Sequence, residues 1–410
     1  MQQGKIIKQF YLDNPIGIYL LIFLIPIYPK LFSLGILILL IDLSVRRFIF
    51  KEKRSRSKLS FREGNFWLII FFLLHIIGVS YSENISFAWM DIGMKLSFIV
   101  FPIIFILNPI KINWEKLASY FILGALVSVL ICFIMASINY YNTGYYAHYF
   151  DSRLSFMMHR SYWATYLVMA SLFSWFLHYR NNINLLKLLF LFIIFSAFIF
   201  MSGSKMGIIL LLISTLIWIF IIMLNRKAYA FGVFTALFLV VIGFSVDYFA
   251  PQLSSRIHNS INSITTTNKI DPKTTESNAS RILVWRSSKK IISNNFFFGV
   301  GTGDIKDELK KQNLESGYTG VANLNMNAHN QFLNTHVALG VFGSLSLLFA
   351  FITAFYNGIR KRIIVLPLVV LILFLSLLTE SFFETQAGIV PGAFILSLIA
   401  NYSTTSAVKD

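Results

Sequence analysis

The sequence has few charged residues and a single cysteine. Only 13% of its 410 residues are charged, whereas 56% are hydrophobic and 42 are phenylalanine. Soluble domains carry about 25% charged residues, so this chain lacks the polar groups that a water-exposed surface needs. Cys132 lies within an apolar run. One cysteine excludes an intramolecular disulfide and a cysteine-based metal framework. We therefore interpret the chain as a polytopic membrane protein.

Acidic residues are also scarce, which leaves a formal charge of +17. The basic residues stand in short clusters between apolar runs, as the rule for cytoplasmic loops requires. Nucleic-acid binding needs a continuous basic face, so we predict no nucleic-acid partner. The first apolar run starts near Pro15 and leads directly into further runs. We therefore expect no cleavable signal peptide.

Apolar runs of membrane-spanning length recur along the chain. A bilayer core takes about 20 helical residues, fewer for broken spans. The sequence predicts an all-α fold with about twelve transmembrane helices, in which Pro29 marks a tight hairpin after the first. The predicted spans are 14–29, 31–45, 64–81, 94–109, 117–138, 160–178, 184–201, 204–224, 229–248, 329–357, 363–379 and 386–401.

The distribution of basic residues predicts the orientation. Residues 46–62 hold eight Lys and Arg residues, and such a loop stays cytoplasmic. Alternation from there places both termini in the cytoplasm and residues 249–328 on the opposite side. That long segment is too long for a bare connector. We divide the chain into helices 1–9 at residues 1–248, a loop at 249–328, and helices 10–12 with a cytoplasmic tail at 329–410.

The long loop has helical patterns of its own. Apolar residues recur at helical spacing over residues 281–292, with Ser280 as the expected cap. An apolar stretch and glycine-rich turn follow at 296–303. Asp304 is the expected cap of a second helix, with acidic residues in its first turn.

His329 stands where this polar loop ends and an apolar helix begins. An imidazole at this position can act as a base at a membrane surface. A structural or interfacial role is the alternative. Basic residues at non-cytoplasmic helix ends favour chemistry, because a cationic pocket suits an anionic ligand. These residues are Arg160, Lys205, Arg281 and Arg286.

Other polar residues on the same predicted side have two interpretations each. Lys205 either extends to the membrane interface or contacts phosphate at a helix start. Glu380 and Glu384, with Gln386 nearby, are either solvated or orient a histidine or a sugar hydroxyl. Asn330 supports His329, and His336, about two turns further on, is expected to pack behind it. No metal motif is present, and no cofactor is expected.

Two motifs resemble a known family. His329-Asn330, nine residues and Gly340-Val341-Phe342-Gly343 resemble the His-(Asn/Ser/Gln)-x9-Gly-x-x-Gly signature of O-antigen ligases. Arg281 with Trp285, and the Asn-Phe-Phe-Phe-Gly-Val-Gly-Thr-Gly run at 295–303, are similar to the loop motifs of the same superfamily. The chain is identified as similar to the O-antigen ligase and O-antigen polymerase superfamily of bacterial envelope glycosyltransferases. It departs from the family pattern at Lys205, where arginine is common.

The resemblance implies a metal-independent, GT-C-like glycosyltransferase of the bacterial inner membrane with a periplasmic active site. Its donor would be a glycan on undecaprenyl diphosphate. Its acceptor would be the lipid A core for a ligase, as in lipopolysaccharide assembly, or another carrier-linked glycan for a polymerase. His329 would be the base, and Arg281, Arg160, Lys205 and Arg286 would bind diphosphate. The motif spacing favours the ligase. A lipid-linked glycan transporter is the remaining alternative, although no repeat of two six-helix halves is visible.

Overall fold

The computed structural model describes residues 9, 11–50, 59–108, 110–226 and 270–400, and these residues form helices and no strand. This confirms the all-α prediction for that part of the chain. Among the described residues, four helical segments are long and apolar enough to cross a membrane, namely Ile85–Leu107, Trp114–Thr143, Lys205–Leu224 and Gln331–Arg360. The protein is therefore consistent with a polytopic membrane protein, and the number of crossings stays a prediction.

The longer helices, in chain order, are α1 Ile16–Leu24, α2 Phe32–Ser44, α3 Gly64–Val79, α4 Ile85–Lys95, α5 Ser97–Leu107, α6 Trp114–Thr143, α7 Arg160–Tyr179, α8 Leu185–Met201, α9 Lys205–Arg226, α10 Ser277–Asn294, α11 Ile305–Glu315, α12 Thr319–Asn323, α13 Gln331–Arg360, α14 Val365–Leu377 and α15 Gln386–Ala400. Eleven of the twelve predicted spans coincide with helices in this series. The predicted span 229–248 lies outside the described residues.

Contacts divide the chain into two compact units. The first comprises Met1–Leu74, Met90–Leu211 and Leu345–Asp410, and the second comprises His75–Trp89 and Leu212–Ser344. The boundaries between the two units therefore fall within helices. The three-part division at residues 248 and 328 stays a prediction.

The first unit is built around α7. This helix packs against α6, α8 and α14, and its Trp163 and Tyr166 side chains are fully buried. Buried hydroxyl groups bond within the helix, as where Ser174 donates to the Ala170 carbonyl at 2.8 Å. The Trp163 indole donates to Ser128 of α6 at 2.7 Å. A helix buried on all sides can thus carry Ser and Thr without unpaired polar atoms.

The predicted hairpin after the first span is present in the first unit. A short 3-10 turn at Pro29–Leu31 connects α1 and α2, and the two helices pack closely because Gly17 faces the Leu39 backbone. Asp42 of α2 accepts a hydrogen bond from the Gly17 amide at 3.1 Å. Asp42 is also paired with the buried Arg46 guanidinium at 3.2 Å. This pair fixes the start of the chain against α2.

The second unit contains the described part of the long loop. Three helices occupy it, α10, α11 and the five-residue α12, where the sequence predicted two. The predicted cap Ser280 is wrong. Helix α10 starts earlier because Glu276 accepts hydrogen bonds from the amides of Asn278 and Ala279 at 2.9 and 2.8 Å. A glutamate carboxylate therefore satisfies the first free amides of the helix.

Asp304 precedes α11 as predicted, but its side chain makes no capping bond there. Its carboxylate instead accepts hydrogen bonds from the amides of Glu83 and Asn84, at 2.8 and 2.7 Å. Those amides precede α4. The aspartate thus fixes the residues that lead into a helix distant in sequence, while Asn84 caps that helix by accepting from the Phe87 amide at 3.1 Å.

Candidate functional site

His329 lies immediately before α13 in the second unit. Its backbone is left-handed, with a φ of 44°, and its amide donates to the Asn327 side chain at 3.0 Å. Asn330 caps the helix, since its side-chain oxygen accepts from the Leu333 amide at 3.1 Å. The helix starts two residues later than predicted. The imidazole, which is half-buried, thus belongs to a turn and not to the helix itself.

Helix α10 lies against this turn. The Trp285 indole donates to the carbonyl of Ala328, the residue before His329, at 2.8 Å. Arg281 is one turn earlier on the same helix face, and its guanidinium donates to Ser277 at 3.3 Å. Arg286 is half-buried on the neighbouring face of α10. The structure therefore places Arg281 and His329 in one neighbourhood of the second unit.

Helix α13 is broken at Gly340. This residue has φ 63° and ψ −159°, a backbone conformation that only glycine adopts readily. A side chain there has no room, because a Cβ atom would lie 2.1 Å from the Phe297 carbonyl oxygen. Immediately after the break, the Val341 amide donates to the Phe296 carbonyl at 2.9 Å. The loop backbone thus replaces a bond within the helix.

The glycine-rich segment completes the exchange on the other side of the break. The amides of Val300 and Gly301 donate to the carbonyls of Val337 and Ala338 at 2.8 and 2.9 Å. Those carbonyls are the ones that the break deprives of helical partners. Residues 296–301 and the broken turn of α13 are hereafter the backbone interlock. The two sequence motifs of the resemblance are the two sides of this one structure.

His336 belongs to the interlock. Its Nε2 lies 3.2 Å from the Phe296 carbonyl oxygen, so this nitrogen carries the hydrogen and donates. Its ring lies 5.2 Å from the Phe296 ring. The same segment is fixed from a third side by Tyr81, whose hydroxyl donates to the Phe298 carbonyl at 2.7 Å. This placement agrees with a packing role for His336.

Arg160 begins α7 in the first unit. Its guanidinium pairs with Asp151 at 3.1 Å, and about a third of its side chain is exposed. Lys205 begins α9 in the same unit, after a turn in which Ser204 accepts from the Gly207 amide at 3.1 Å. One of the helix-start amides that were predicted to contact phosphate therefore already donates to Ser204.

Glu380 and Glu384 flank the turn between α14 and α15, also in the first unit, and Gln386 begins α15. Glu380 accepts a hydrogen bond from the Ser161 hydroxyl at 3.3 Å. Glu384 pairs with the Lys95 ammonium at 3.3 Å. Neither carboxylate is simply solvated, so that alternative for the two residues is wrong.

Sequence reasoning missed Lys95 and its second partner, Asp91. The ammonium lies 2.5 Å from the Asp91 carboxylate, and both side chains are at most 4% exposed. Removing one member of a buried ion pair leaves an uncompensated charge and costs about 3–5 kcal/mol. The available signal was the spacing of four residues between an aspartate and a lysine within an apolar run, which favours an ion pair on one helix face.

The predicted site residues thus fall in two groups. The second unit holds His329, Asn330, Arg281, Arg286 and His336. The first holds Arg160, Lys205, Glu380, Glu384 and Gln386. One pocket containing both groups stays a prediction. Among the described residues, no three His, Cys, Asp or Glu side chains are placed to share a metal ion.

Comparison with known families identifies the region that contains the interlock. Residues 189–348 match the family model described as O-antigen ligase. This region is therefore similar to the O-antigen ligase family, and it is called the O-antigen ligase domain below for that similarity. Among curated proteins, none matches the chain. The resemblance drawn from the motifs is confirmed, and it supports a function of the O-antigen ligase or polymerase type with lipid-linked glycans as substrates.

The O-antigen ligase domain includes most of the predicted site. It contains Lys205, both loop arginines, His329 and His336, together with the whole backbone interlock. Arg160 and the turn that bears Glu380 and Glu384 lie outside the matched residues. Their roles remain predictions from charge and position.

Proposed function

We propose that this protein transfers a glycan from undecaprenyl diphosphate to an acceptor hydroxyl at the periplasmic face of the bacterial inner membrane. The observation that carries the proposal is His329, in a strained turn beside α10 and within the O-antigen ligase domain. A non-glycine residue with positive φ is uncommon and recurs at functional sites. We place both termini in the cytoplasm, following the basic residues.

The proposed reaction is one direct displacement. The acceptor oxygen bonds to the anomeric carbon, while the bond from that carbon to the diphosphate oxygen breaks. A nitrogen of His329 accepts the hydroxyl proton, which neutral imidazole can do near neutral pH. Undecaprenyl diphosphate leaves with the bonding electron pair, so the configuration at the anomeric carbon inverts.

The departing diphosphate needs fixed positive charge. Arginine suits this task because its guanidinium binds phosphate oxygens through two parallel hydrogen bonds. We assign the role to Arg281 on α10 and to Arg160, with Arg286 as a further candidate. Lys205 would contribute a point charge without the two-pronged geometry. The proposal therefore requires no metal or nucleotide cofactor.

Reconstitution tests the proposal. The purified protein is combined with a synthetic undecaprenyl-diphosphate glycan and candidate acceptors, and the products are identified by mass spectrometry. We expect His329→Ala to reduce transfer at least about 100-fold, the usual contribution of a positioned base. His178→Ala, at the opposite end of α7 from Arg160, is the matched control and should retain activity. Full transfer by a normally inserted His329→Ala protein contradicts the assignment.

We assign the lipid A core as the acceptor, as in an O-antigen ligase. The spacing from His329 to Gly340 and Gly343 favours the ligase over the polymerase. Glycolipids of a deletion strain decide between the branches. Loss of a ligase leaves the lipid A core without repeats while carrier-linked polymer accumulates. Loss of a polymerase leaves the core with a single repeat. Flux of a lipid-linked glycan across vesicles without bond formation would instead support a transporter.

A further inference from the structure

The buried ion network around Lys95 has no part in the chemistry above. Its ammonium lies between the carboxylates of Asp91, at 2.5 Å, and Glu384, at 3.3 Å. The Lys95 side chain is 2% exposed and that of Glu384 is 15% exposed. Ionisable groups buried in a membrane protein are costly and usually functional. Packing alone therefore does not explain why these charged groups are buried.

Asp91 alone would neutralise Lys95, since the two residues are one turn apart on α4. Glu384 adds a connection across 289 positions of sequence. The lysine is also the last residue of α4, in the middle of the helical segment Ile85–Leu107. The ammonium thus holds the turn at Phe382–Glu384 to a fixed point on that segment.

The same turn is held at its other end. Glu380 accepts from the Ser161 hydroxyl at 3.3 Å, and Ser161 directly follows Arg160. Between the two carboxylates, Phe382 is fully buried and its ring lies 4.4 Å from that of Tyr162. Contacts therefore run from Lys95 through Glu384 and the turn to the first residues of α7.

We propose that Lys95 and Asp91 are positioning residues for Arg160, acting through Glu384, the buried turn and Glu380. This rests on the proposed function, in which Arg160 binds diphosphate. The guanidinium itself is accessible, since about a third of its side chain is exposed. The ion network thereby sets where a positive charge meets the lipid-linked substrate.

The test measures binding of undecaprenyl diphosphate, without a glycan, to the full-length protein in lipid nanodiscs. The key variant combines Asp91→Asn with Lys95→Met, which removes both charges from α4 and takes the ammonium partner away from Glu384. Glu384→Gln cuts the connection from the other side. Lys187→Met, at an exposed lysine of the same unit, is the matched control.

We expect the dissociation constant of the probe to rise about tenfold in the double variant and in Glu384→Gln, because small displacements of a binding group are costly. The protein that combines Arg160→Ala with the double variant should bind the probe with the same dissociation constant as Arg160→Ala alone. In transfer assays, KM for the donor should rise while kcat changes by less than about twofold. The control should bind as the wild type does.

Hydrogen exchange of residues 379–385 gives a readout that does not depend on any substrate. It should become faster in the double variant and stay unchanged in the control. Unaltered exchange, or wild-type affinity in the double variant, overturns the positioning role. A wild-type protein that does not bind undecaprenyl diphosphate overturns the proposed function instead, so the two failures are distinguishable.

Discussion

Two segments near the candidate site are fixed by different means. In the first unit, the turn at 380–384 is held by side-chain charges and hydroxyls contributed by α4 and α7. In the second unit, residues 296–301 are held by backbone hydrogen bonds to a broken helix. Side-chain contacts can be exchanged for other pairs of residues. Where the two backbones approach most closely, at Gly299 and Gly340, a side chain has no room, because a Cβ atom would lie 2.4 and 2.1 Å from backbone atoms of the other segment.

The difference predicts which changes can be compensated. The Glu384 charge in the turn and the Lys95 charge on α4 can in principle be replaced together by another pair of side chains. No second substitution restores a backbone hydrogen bond that a new Cβ atom has blocked. The interlock should therefore be the more fragile of the two.

The largest expected effect comes from Gly340→Ala. Its Cβ atom would overlap the Phe297 carbonyl and its φ of 63° is strained for alanine, so we expect a loss of at least about 3 kcal/mol. The measurement is the thermal midpoint and the monodisperse fraction in detergent. Gly93→Ala is the matched control, because nothing lies within 4 Å of its Cβ position on α4. Equal thermal midpoints and monodisperse fractions of the two variants would show that the interlock is not the more fragile of the two segments.

A smaller effect is expected from Trp285→Phe. This change keeps the ring but removes the hydrogen bond to the Ala328 carbonyl, which costs about 1–2 kcal/mol when the carbonyl stays buried. Transfer activity should fall more than stability, since the bond fixes the residue next to His329. Trp89→Phe, at an indole that is 58% exposed, is the control. A fall in stability with unchanged turnover would show that α10 does not position His329.

The last effect concerns pH and the first unit. Burial lowers the pKa of the Lys361 ammonium to about 7, while the nearby Glu63 carboxylate opposes that shift. In the unfolded chain this pKa is about 10.4, so the unfolded state binds more protons between those values. Stability should therefore rise with pH from about 7 to about 10 and stay level below 7.

Thermal midpoints of the wild type and Lys361→Met across this range measure the contribution. The slope should be reduced in the variant and retained in Lys187→Met, whose side chain is exposed. A retained slope in Lys361→Met would assign the pH dependence to other groups. The Lys361 ammonium also donates to the Ile399 carbonyl near the end of α15, so the variant also loses a helix-terminal contact at every pH.

The sequence allowed prediction of features that are local or that require glycine. Apolar runs gave the helices, and the positions of Gly299, Gly301 and Gly340 gave the motifs that the O-antigen ligase domain contains. These glycines could be recognised in the sequence because the backbone geometry at their positions permits no other residue. The break at Gly340 itself was not predicted, since the flanking residues continue a helical pattern.

Long-range side-chain contacts could not be predicted. Asp304 was expected to cap its own helix but binds the amides that precede α4, and Lys95 was hidden in an apolar run. Both depend on partners about 220 and 290 positions away, and many acidic or basic residues could have filled those roles. A single sequence holds no signal that selects one partner over another at such distances.

The break at Gly340 also divides α13 by length. The part that follows it contains about 20 residues and extends about 30 Å, which equals the thickness of a bilayer hydrocarbon core. That part is long enough to cross the membrane without the nine residues of α13 that precede the glycine. In the proposed reaction, His329 and the first turns of α13 remain at headgroup depth, where the diphosphate of a lipid-linked donor would lie. Gly340 thus sets the length of helix that is available to span the hydrocarbon.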